Sequence, residues 1–287
     1  MASLKEVKGR IASVNSTRKI TSAMKMVASA KLHKAQAAIE SMLPYERRLH
    51  HILTDFMSNC TEVTSPFIVK REVKKVAVVV FASNTSLCGG FNANVIRHLV
   101  DLLAEYKPLG LENILVFPVG KKVADAVRKL GFRIEGDFQH MADKPSYQEA
   151  ADLAADLMKR FLHGDVDKVE LLYNHFKSTA SQILTRETYL PIDLNNEKKE
   201  EERTIDYILE PSAEELMQEM LPKVLRMKMF TVLLDSNAAE HAARTMAMQI
   251  ATDNANELLQ ELTVMYNKSR QQSITNELLD IVSGSMA

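Results

Sequence analysis

The sequence predicts an α/β protein in which two long helices form an antiparallel coiled coil and flank an inserted Rossmann-like α/β domain. Three observations support this fold class. The first 59 residues carry a heptad pattern, the middle alternates short apolar runs with helical patterns, and no proline follows Pro222 in a segment whose one glycine is Gly284. The expected units are an N-terminal long helix at 1–59, an α/β domain at 73–211 and a C-terminal long helix at 212–287.

The N-terminal helix is apolar at most positions of one a/d frame, which runs from Leu4 to Met42. Three consecutive frame positions are polar, and apolar residues lie beside them on the neighbouring face. The polar positions are Arg18, Thr21 and Lys25, and the apolar neighbours are Ile20, Met24 and Val27. We therefore expect the apolar stripe to shift sideways in mid-helix. Up to Lys34 this helix carries many basic residues against one acid, Glu6, which predicts an acidic partner surface.

In the middle of the chain, strand and helix patterns follow one another. Because strands that alternate with helices form mainly parallel sheets, we expect such a sheet, with an antiparallel pair made by its last two long strands. The charge run at 195–203 predicts an exposed loop. The predicted strands are 73–82, 113–119, 133–137, 168–177, 182–190 and 204–209, and the predicted helices are 93–106, 121–130 and 146–163.

The final helix begins with a capping box, in which Ser212 is the N-cap and Glu215 follows three residues later. Pro222 is expected to kink this helix or to divide a short first helix from the long one. Alanines then recur at helical spacing over 238–255, and a matching band lies at 28–38 in the N-terminal helix. Small side chains let two helices approach closely, so we expect the two helices to pair antiparallel within one chain.

The end of the final helix contains a polar segment and then an apolar one. A polar segment at 267–273 is followed by an apolar end that contains Ile274, Leu278, Leu279 and Ile281. An apolar helix end in water is unfavourable, so this end is expected to be buried.

Composition argues against several function classes. The two cysteines, Cys60 and Cys88, cannot build a disulfide framework, and no Cys or His cluster has zinc-ligand spacing. The formal net charge of −1 argues against a nucleic-acid binder. No apolar run approaches the length of a membrane span, so we expect no direct insertion, and any link to the membrane would run through a partner.

The turn after the first strand, Ser86-Leu87-Cys88-Gly89-Gly90, contains glycines but matches neither of the common phosphate-binding patterns. We therefore expect no cofactor, no metal and no catalytic residue in this chain.

Two rival classes of function remain at this point. One is an α/β enzyme with a helical oligomerisation arm, which would need a cofactor fingerprint or a pocket of titratable residues. The other is a static coiled-coil adaptor or scaffold protein, which the heptads alone would allow.

Four stretches resemble the gamma subunit of bacterial F-type ATP synthases. They are LKEVKGRIASVNSTRKITSAMKMVASAKL near the start, ATDNANELLQELTVMYNKSRQQSITNELLDIVSG near the end, SLCGGFNANV after the first strand and YILEP at 207–211. One departure is the loop Ser83-Asn84-Thr85-Ser86, where the family more often has an acid, a basic residue and a glycine. The regulatory cysteine insert of chloroplast members is absent.

The resemblance implies a rotor shaft that is not itself catalytic. In the family, rotation of an ion-driven membrane ring turns the helix pair inside a head of alpha and beta subunits, where ATP is made or hydrolysed. The implied partners are the alpha and beta subunits, the epsilon subunit and the membrane rotor ring. The implied location is the cytoplasmic face of the bacterial inner membrane, as a peripheral part of the complex.

The resemblance also assigns contact residues along the shaft. The contacts with beta are Arg18, Lys19, Met24, Lys25, Arg270, Gln271 and Thr275; the apolar bearing is Ile274, Leu278, Ile281 and Val282; and the residues that face the rotor ring or epsilon are Tyr207 and Glu210.

Overall fold

The computed structural model describes residues 4–59, 65–192 and 213–285. Helix α1, Leu4–Asn59, and helix α6, Ala213–Ser285, enclose an α/β domain in the sequence, which confirms the predicted fold class. With 73 residues, α6 is about 110 Å long at 1.5 Å per residue. It is continuous through Pro222, so the expected division at this proline is wrong. The prediction of a strand at 204–209 and of the Ser212 cap lies outside the described residues.

The sheet has five strands in the order β3-β2-β1-β4-β5. Strands β1, β2, β3 and β4 run parallel to their neighbours, and β5 is antiparallel to β4, as the sequence predicts. The third strand is shorter than its predicted range, because it pairs with β2 over two residues. The strands are β1 Val76–Phe81, β2 Ile114–Val119, β3 Arg133–Ile134, β4 Lys168–Ser178 and β5 Ser181–Leu190.

Helices cover both faces of this sheet, which is why β1 and β2 are buried along their whole length and read as continuous apolar runs. Helices α2 and α3 pack on one face, and α5 together with the first third of α6 packs on the other. Helix α4 is not foreseen by the sequence patterns, since five residues are too few to show a helical period. The helices are α2 Phe91–Tyr106, α3 Lys121–Leu130, α4 Gln139–Asp143 and α5 Tyr147–His163.

A buried ion cluster joins α2 to β4 and β5. The Glu170 side chain is 2% exposed and accepts hydrogen bonds from Tyr106, Lys168 and Arg186. Burial by itself disfavours the carboxylate, but the bonds from Arg186 and Lys168 hold the pKa of Glu170 below its usual value. Because each charge has a partner, the cluster has a structural role, and the loss of one member would leave an uncompensated charge beside the buried Glu170.

Polar contacts also attach α6 to the sheet. The Tyr189 hydroxyl donates to the Leu225 carbonyl at 2.8 Å in a buried position, and Lys228 pairs with Glu187 at 2.9 Å. Burial raises the pKa of Tyr189, so the hydroxyl stays protonated and keeps its donor role. The first third of α6 is therefore held by directional bonds as well as by apolar packing.

We expect Tyr189→Phe to lower the free energy of unfolding by about 1 kcal/mol, because it removes one buried hydrogen bond and little packing. Urea unfolding followed by circular dichroism measures this loss. Tyr45→Phe is the matched control, since Tyr45 is 53% exposed. An equal loss in both variants would contradict the role given to the Tyr189 hydroxyl.

Candidate functional surface: the two-helix shaft

Helix α6 leaves the α/β domain across the carboxyl edge of the parallel strands. There the Asp235 carboxylate accepts a hydrogen bond from the Phe176 amide at 2.8 Å, and its other oxygen lies 2.6 Å from His175 Nδ1. The buried Asn237 side chain donates to the Ala142 carbonyl at 2.9 Å. These bonds connect α6 to β4 and to the end of α4, so the helix is fixed where it emerges from the domain.

In doubly wound folds, ligands bind at this carboxyl edge. Here α6 fills the edge with small side chains: Ala239 packs against Cys88 and Phe91 of the glycine-containing turn. A cavity of about 10 Å³ lies between the ends of β1 and β2 and α6, which is room for about one water molecule. Cys88 is 1% exposed, and the Asn92 amide donates to its sulfur at 3.1 Å. The turn therefore forms a packing surface for α6.

The loop 83–86, which departs from the family pattern, is tied to the shaft by Arg244. The Arg244 guanidinium donates to the Ser86 carbonyl at 2.5 Å and to Glu240 at 2.7 Å. Burial raises the pKa of Glu240, and the Arg244 contact works against that shift. At the start of the loop, Ser83 is held by Asn92, whose side-chain oxygen accepts from the Ser83 amide at 3.1 Å.

His241 lies next to this pair and is buried, with 7% of the residue exposed. Burial and the nearby charges of Lys31 and Arg244 lower the pKa of His241 to about 4. In the described part of the chain its Nδ1 has no hydrogen-bond partner. The imidazole is therefore neutral near pH 7, and it fills space between α6 and α1 without adding a third positive charge.

Farther along, α1 and α6 pair antiparallel through a seam of small and apolar residues in which Leu32 and Ala35 meet Ala238 and Ala242. This confirms the pairing that the two alanine bands predict. Beyond it, the seam becomes polar for about two turns of each helix. We call this the polar layer; it consists of Arg18, Thr21 and Lys25 from α1 and of Gln249, Thr252 and Asn256 from α6.

The polar layer corrects the expectation that the stripe shifts sideways. Thr21 is 9% exposed and stays in the seam, whereas Ile20 and Val27 are 60% and 59% exposed. The reason is that the long methylene stems of Arg18 and Lys25 can line the seam while their charged ends reach polar groups on α6. The heptad frame therefore continues unbroken through its polar positions.

The four residues of α1 that are predicted to contact beta differ in their exposure to solvent and in their bonds to α6. Arg18 and Lys25 are half-buried and donate to Asn256 at 3.4 Å and to Gln249 at 2.5 Å. Met24 is half-buried, and Lys19 is exposed. Lys19 is thus the one of these four whose side chain points mainly to solvent.

The end of α6 extends past α1. Because Thr21 faces Thr252 and the helices run antiparallel, Leu4 lies near the level of Ser269. The remaining residues of α6 project as a single helix for about 24 Å. Every described side chain over 271–284 is exposed. The predicted bearing residues share this exposure: Ile274 44%, Leu278 58%, Ile281 66% and Val282 52%.

The predicted polar contacts Arg270, Gln271 and Thr275 lie on the same projecting helix and are exposed. The structure thus groups them with the bearing residues and separates them from the α1 contacts. Tyr207 and Glu210 lie outside the described residues. Among the described residues, no group of His, Cys, Asp and Glu has the arrangement of a metal site. The described helices include none that is long and apolar enough to cross a membrane.

Comparison with known proteins identifies the family. The family model described as ATP synthase matches residues 3–287. The ATP synthase gamma chain of Phocaeicola vulgatus is 81% identical over the full length of both chains, and that of Parabacteroides distasonis is 52% identical over 99% of each. This chain belongs to the ATP synthase gamma-chain family. The resemblance noted in the sequence is confirmed, and a static adaptor is not favoured.

Solved structures show how far the gamma-chain fold extends. A chain of the Euglena gracilis mitochondrial ATP synthase has a TM-score of 0.67 and 22% identity, covering 99% of this chain and 93% of its own length. A chain of the Tetrahymena thermophila mitochondrial ATP synthase, from a structure of the central stalk and c-ring, has a TM-score of 0.59 over 81% of this chain and 99% of its own length. Both solved chains are 22% identical to this chain, so the structural similarity shows the fold alone.

Sequence reasoning missed the residues that fasten the gamma-chain shaft to its domain: Asp235, Asn237 and Arg244. A signal was present, because these polar residues lie within or just before the alanine-rich part of α6. Polar residues within a band of small side chains at a close helix contact are expected to have specific partners.

We expect acid to destabilise the chain partly through His241. The unfolded chain takes up this proton near pH 6.5, whereas the folded chain resists until about pH 4, so stability present above pH 6.5 is lost as the pH falls towards 4. The free energy of unfolding that is lost through His241 is about 2 kcal/mol at pH 4.5. Urea unfolding at pH 7 and pH 4.5 measures it, and His241→Gln should lack this share.

His33→Gln serves as the control, because His33 is exposed. It should retain the full pH dependence of the native chain. The same pH dependence in His241→Gln and in the native chain would show that another group is responsible.

Proposed function

We propose that this chain is the central rotor shaft of an F-type ATP synthase. It couples ion-driven rotation of a membrane ring to ATP synthesis or hydrolysis at catalytic sites of the alpha and beta subunits, and it is not itself catalytic. One observation carries this proposal: a rod of two paired helices is fixed at one end in an α/β domain and ends at the other in a single exposed helix with apolar side chains. Membership of the gamma-chain family supports it.

A shaft must transmit torque between its ends. Paired helices resist bending and twisting better than one helix, because relative motion would break the packing of the seam. At the domain end, the bonds of Tyr189, Asp235 and Arg244 attach α6 to β5, β4 and the turn after β1. Force applied to the domain therefore passes into α6 through three separate places.

A shaft must also present different faces to its surroundings as it turns. Around the polar layer, α1 exposes the cation Lys19 and the apolar side chains Ile20, Met26 and Val27. We assign Arg18, Lys19, Met24 and Lys25 to contacts with an acidic surface of beta, by resemblance to the family. Arg18 and Lys25 retain further N–H donors beyond their bonds to α6, so they can serve both surfaces.

The projecting end of α6 fits the role of a bearing. Ile274, Leu278, Ile281 and Val282 are assigned to an apolar sleeve formed by the head, where non-directional contacts allow rotation. Arg270, Gln271 and Thr275 come just before or among them and are assigned to polar contacts with beta that form and break in each turn. Leaving this much apolar surface in water would be unfavourable, which favours an occupied sleeve.

We place the α/β domain at the foot of the shaft, against epsilon and the membrane rotor ring, with Tyr207 and Glu210 on that side. A solved chain of similar fold comes from a structure of a central stalk with its c-ring, which supports this arrangement. The chain would then be peripheral, on the cytoplasmic face of the bacterial inner membrane.

We expect the isolated chain to hydrolyse no ATP, because the shaft supplies no catalytic group. ATP hydrolysis should appear when the alpha and beta subunits are added, and it should exceed that of alpha and beta alone. A coupled phosphate-release assay measures all three mixtures. Turnover by the isolated, highly purified chain would refute the non-catalytic role.

We expect Leu278→Asp to leave the melting temperature of the isolated chain unchanged, because Leu278 is 58% exposed there. In the assembled complex the same change places a charge in the apolar sleeve and should slow ATP-driven rotation severalfold. Asn276→Asp adds the same charge to an exposed polar position of the same helix and is the matched control. Equal slowing by both changes, or by neither, would argue against the bearing.

A further inference from the structure

The two helices of the shaft are fixed to the α/β domain in different ways. Helix α6 has directional bonds to it through Asp235, Asn237 and Arg244. Among the side chains of α1 that the structure describes, Ile39 and Met42 meet the main core, and both are apolar and partly buried. Apolar contact is non-directional and specifies position weakly. The bonds to the domain therefore set the axial position of α6, whereas these described apolar contacts do not set that of α1 in the same way.

The alanine-rich seam sets the axial position of α1 only weakly. Its contacts join Leu32 and Ala35 to Ala238 and Ala242. Ala238 and Ala242 lie one turn apart, so moving α1 by one turn would still place an alanine of α6 opposite Leu32 or Ala35. A contact between small side chains that repeats after one turn specifies register weakly.

The polar layer does distinguish one register from another. The hydroxyl oxygens of Thr21 and Thr252 lie 2.8 Å apart, and this pair is flanked on either side by the bonds of Lys25 to Gln249 and of Arg18 to Asn256. A shift of one turn would separate all three pairs at once. Thr21 is 9% exposed, so water replaces its lost partner poorly.

We propose that the polar layer is a positioning device that fixes the axial register of α1 against α6. A buried polar position in a coiled coil specifies register at a cost in stability, and the six residues of this layer have the arrangement that such a role requires. The device acts by placing Lys19 and Met24 at one height along the shaft. That consequence rests on the proposed rotor function, whereas the register itself does not.

The test replaces the polar layer by apolar residues and measures the register in the full chain. Nitroxide labels are attached at exposed positions Ser29 and Lys268 by a bio-orthogonal reaction, so that both native cysteines stay intact. Pulsed dipolar spectroscopy then reports the distance between the helices along their axis. The variant combines Arg18→Leu, Thr21→Val, Lys25→Leu, Gln249→Leu, Thr252→Val and Asn256→Leu.

We expect one distance in the native chain and a second population in the apolar variant, shifted by about 5 Å, one helical turn. The melting temperature should not fall, because apolar residues of similar volume replace polar ones. A variant with Thr21→Val and Thr252→Val alone keeps the shape of the seam and should show a smaller second population. If both variants keep the single native distance, the proposal is overturned.

Two further variants separate register from general damage. Exchanging the partners in the native chain, by Lys25→Gln with Gln249→Lys, keeps a bond across the seam and should keep the single distance. Leu32→Met changes the seam outside the polar layer and should not split the distance. A second population in Leu32→Met would mean that any change in the seam loosens the pair, and it would also overturn the proposal.

The link to rotation has its own readout, the number of protons pumped per ATP hydrolysed by the assembled complex in vesicles. The apolar variant should pump at least twofold fewer protons per ATP, and the variant with the exchanged pair should keep native coupling. If the register splits while coupling is unchanged, the positioning device stands and its place in the proposed function fails. The two proposals can therefore fail separately.

Discussion

The packing of the first third of α6 on the sheet is the contact on which the rest of the structure depends. It covers the face of the sheet that α5 leaves open, so the core of the α/β domain is incomplete without the shaft. The same contact anchors a helix of 73 residues to a folded domain, and tertiary packing of this kind supplies most of the stability of a helix in a protein. Domain and shaft are therefore one structural unit.

This dependence explains why, among the residues that the structure describes, the carboxyl edge of the doubly wound sheet holds a cavity of about 10 Å³ and no larger ligand crevice. The carboxyl edge, where such sheets bind small molecules, is filled by Ala239 and its neighbours and closed by the bond of Arg244 to the Ser86 carbonyl. The fold has the topology of many enzymes, but its usual site is used to hold a helix. Fold and function have to be argued separately for this reason.

Much of the architecture follows from periodicity, because β1 and β2 are buried on both faces and the long helices contain few breakers. The sequence pattern fails in mid-shaft, where hydrophobicity alone suggests that Ile20 and Val27 replace Arg18 and Lys25 in the seam. Hydrophobicity scales treat a lysine as one polar unit and ignore its apolar stem. The fastening residues such as Asp235 were missed because their partners lie about 60 or more positions away in the chain.

The separation between Thr21 and Thr252 is 231 positions, and it affects how the chain is made. At about 5–20 residues per second, the ribosome needs roughly 10–50 seconds between synthesising the two halves of the polar layer. During that time α1 exists without its partner. The many charges and small side chains of α1 limit its apolar surface during this time, and a strongly apolar face would bind other nascent chains. The same composition of α1 therefore suits both the finished rod and a chain whose second long helix has not yet been made.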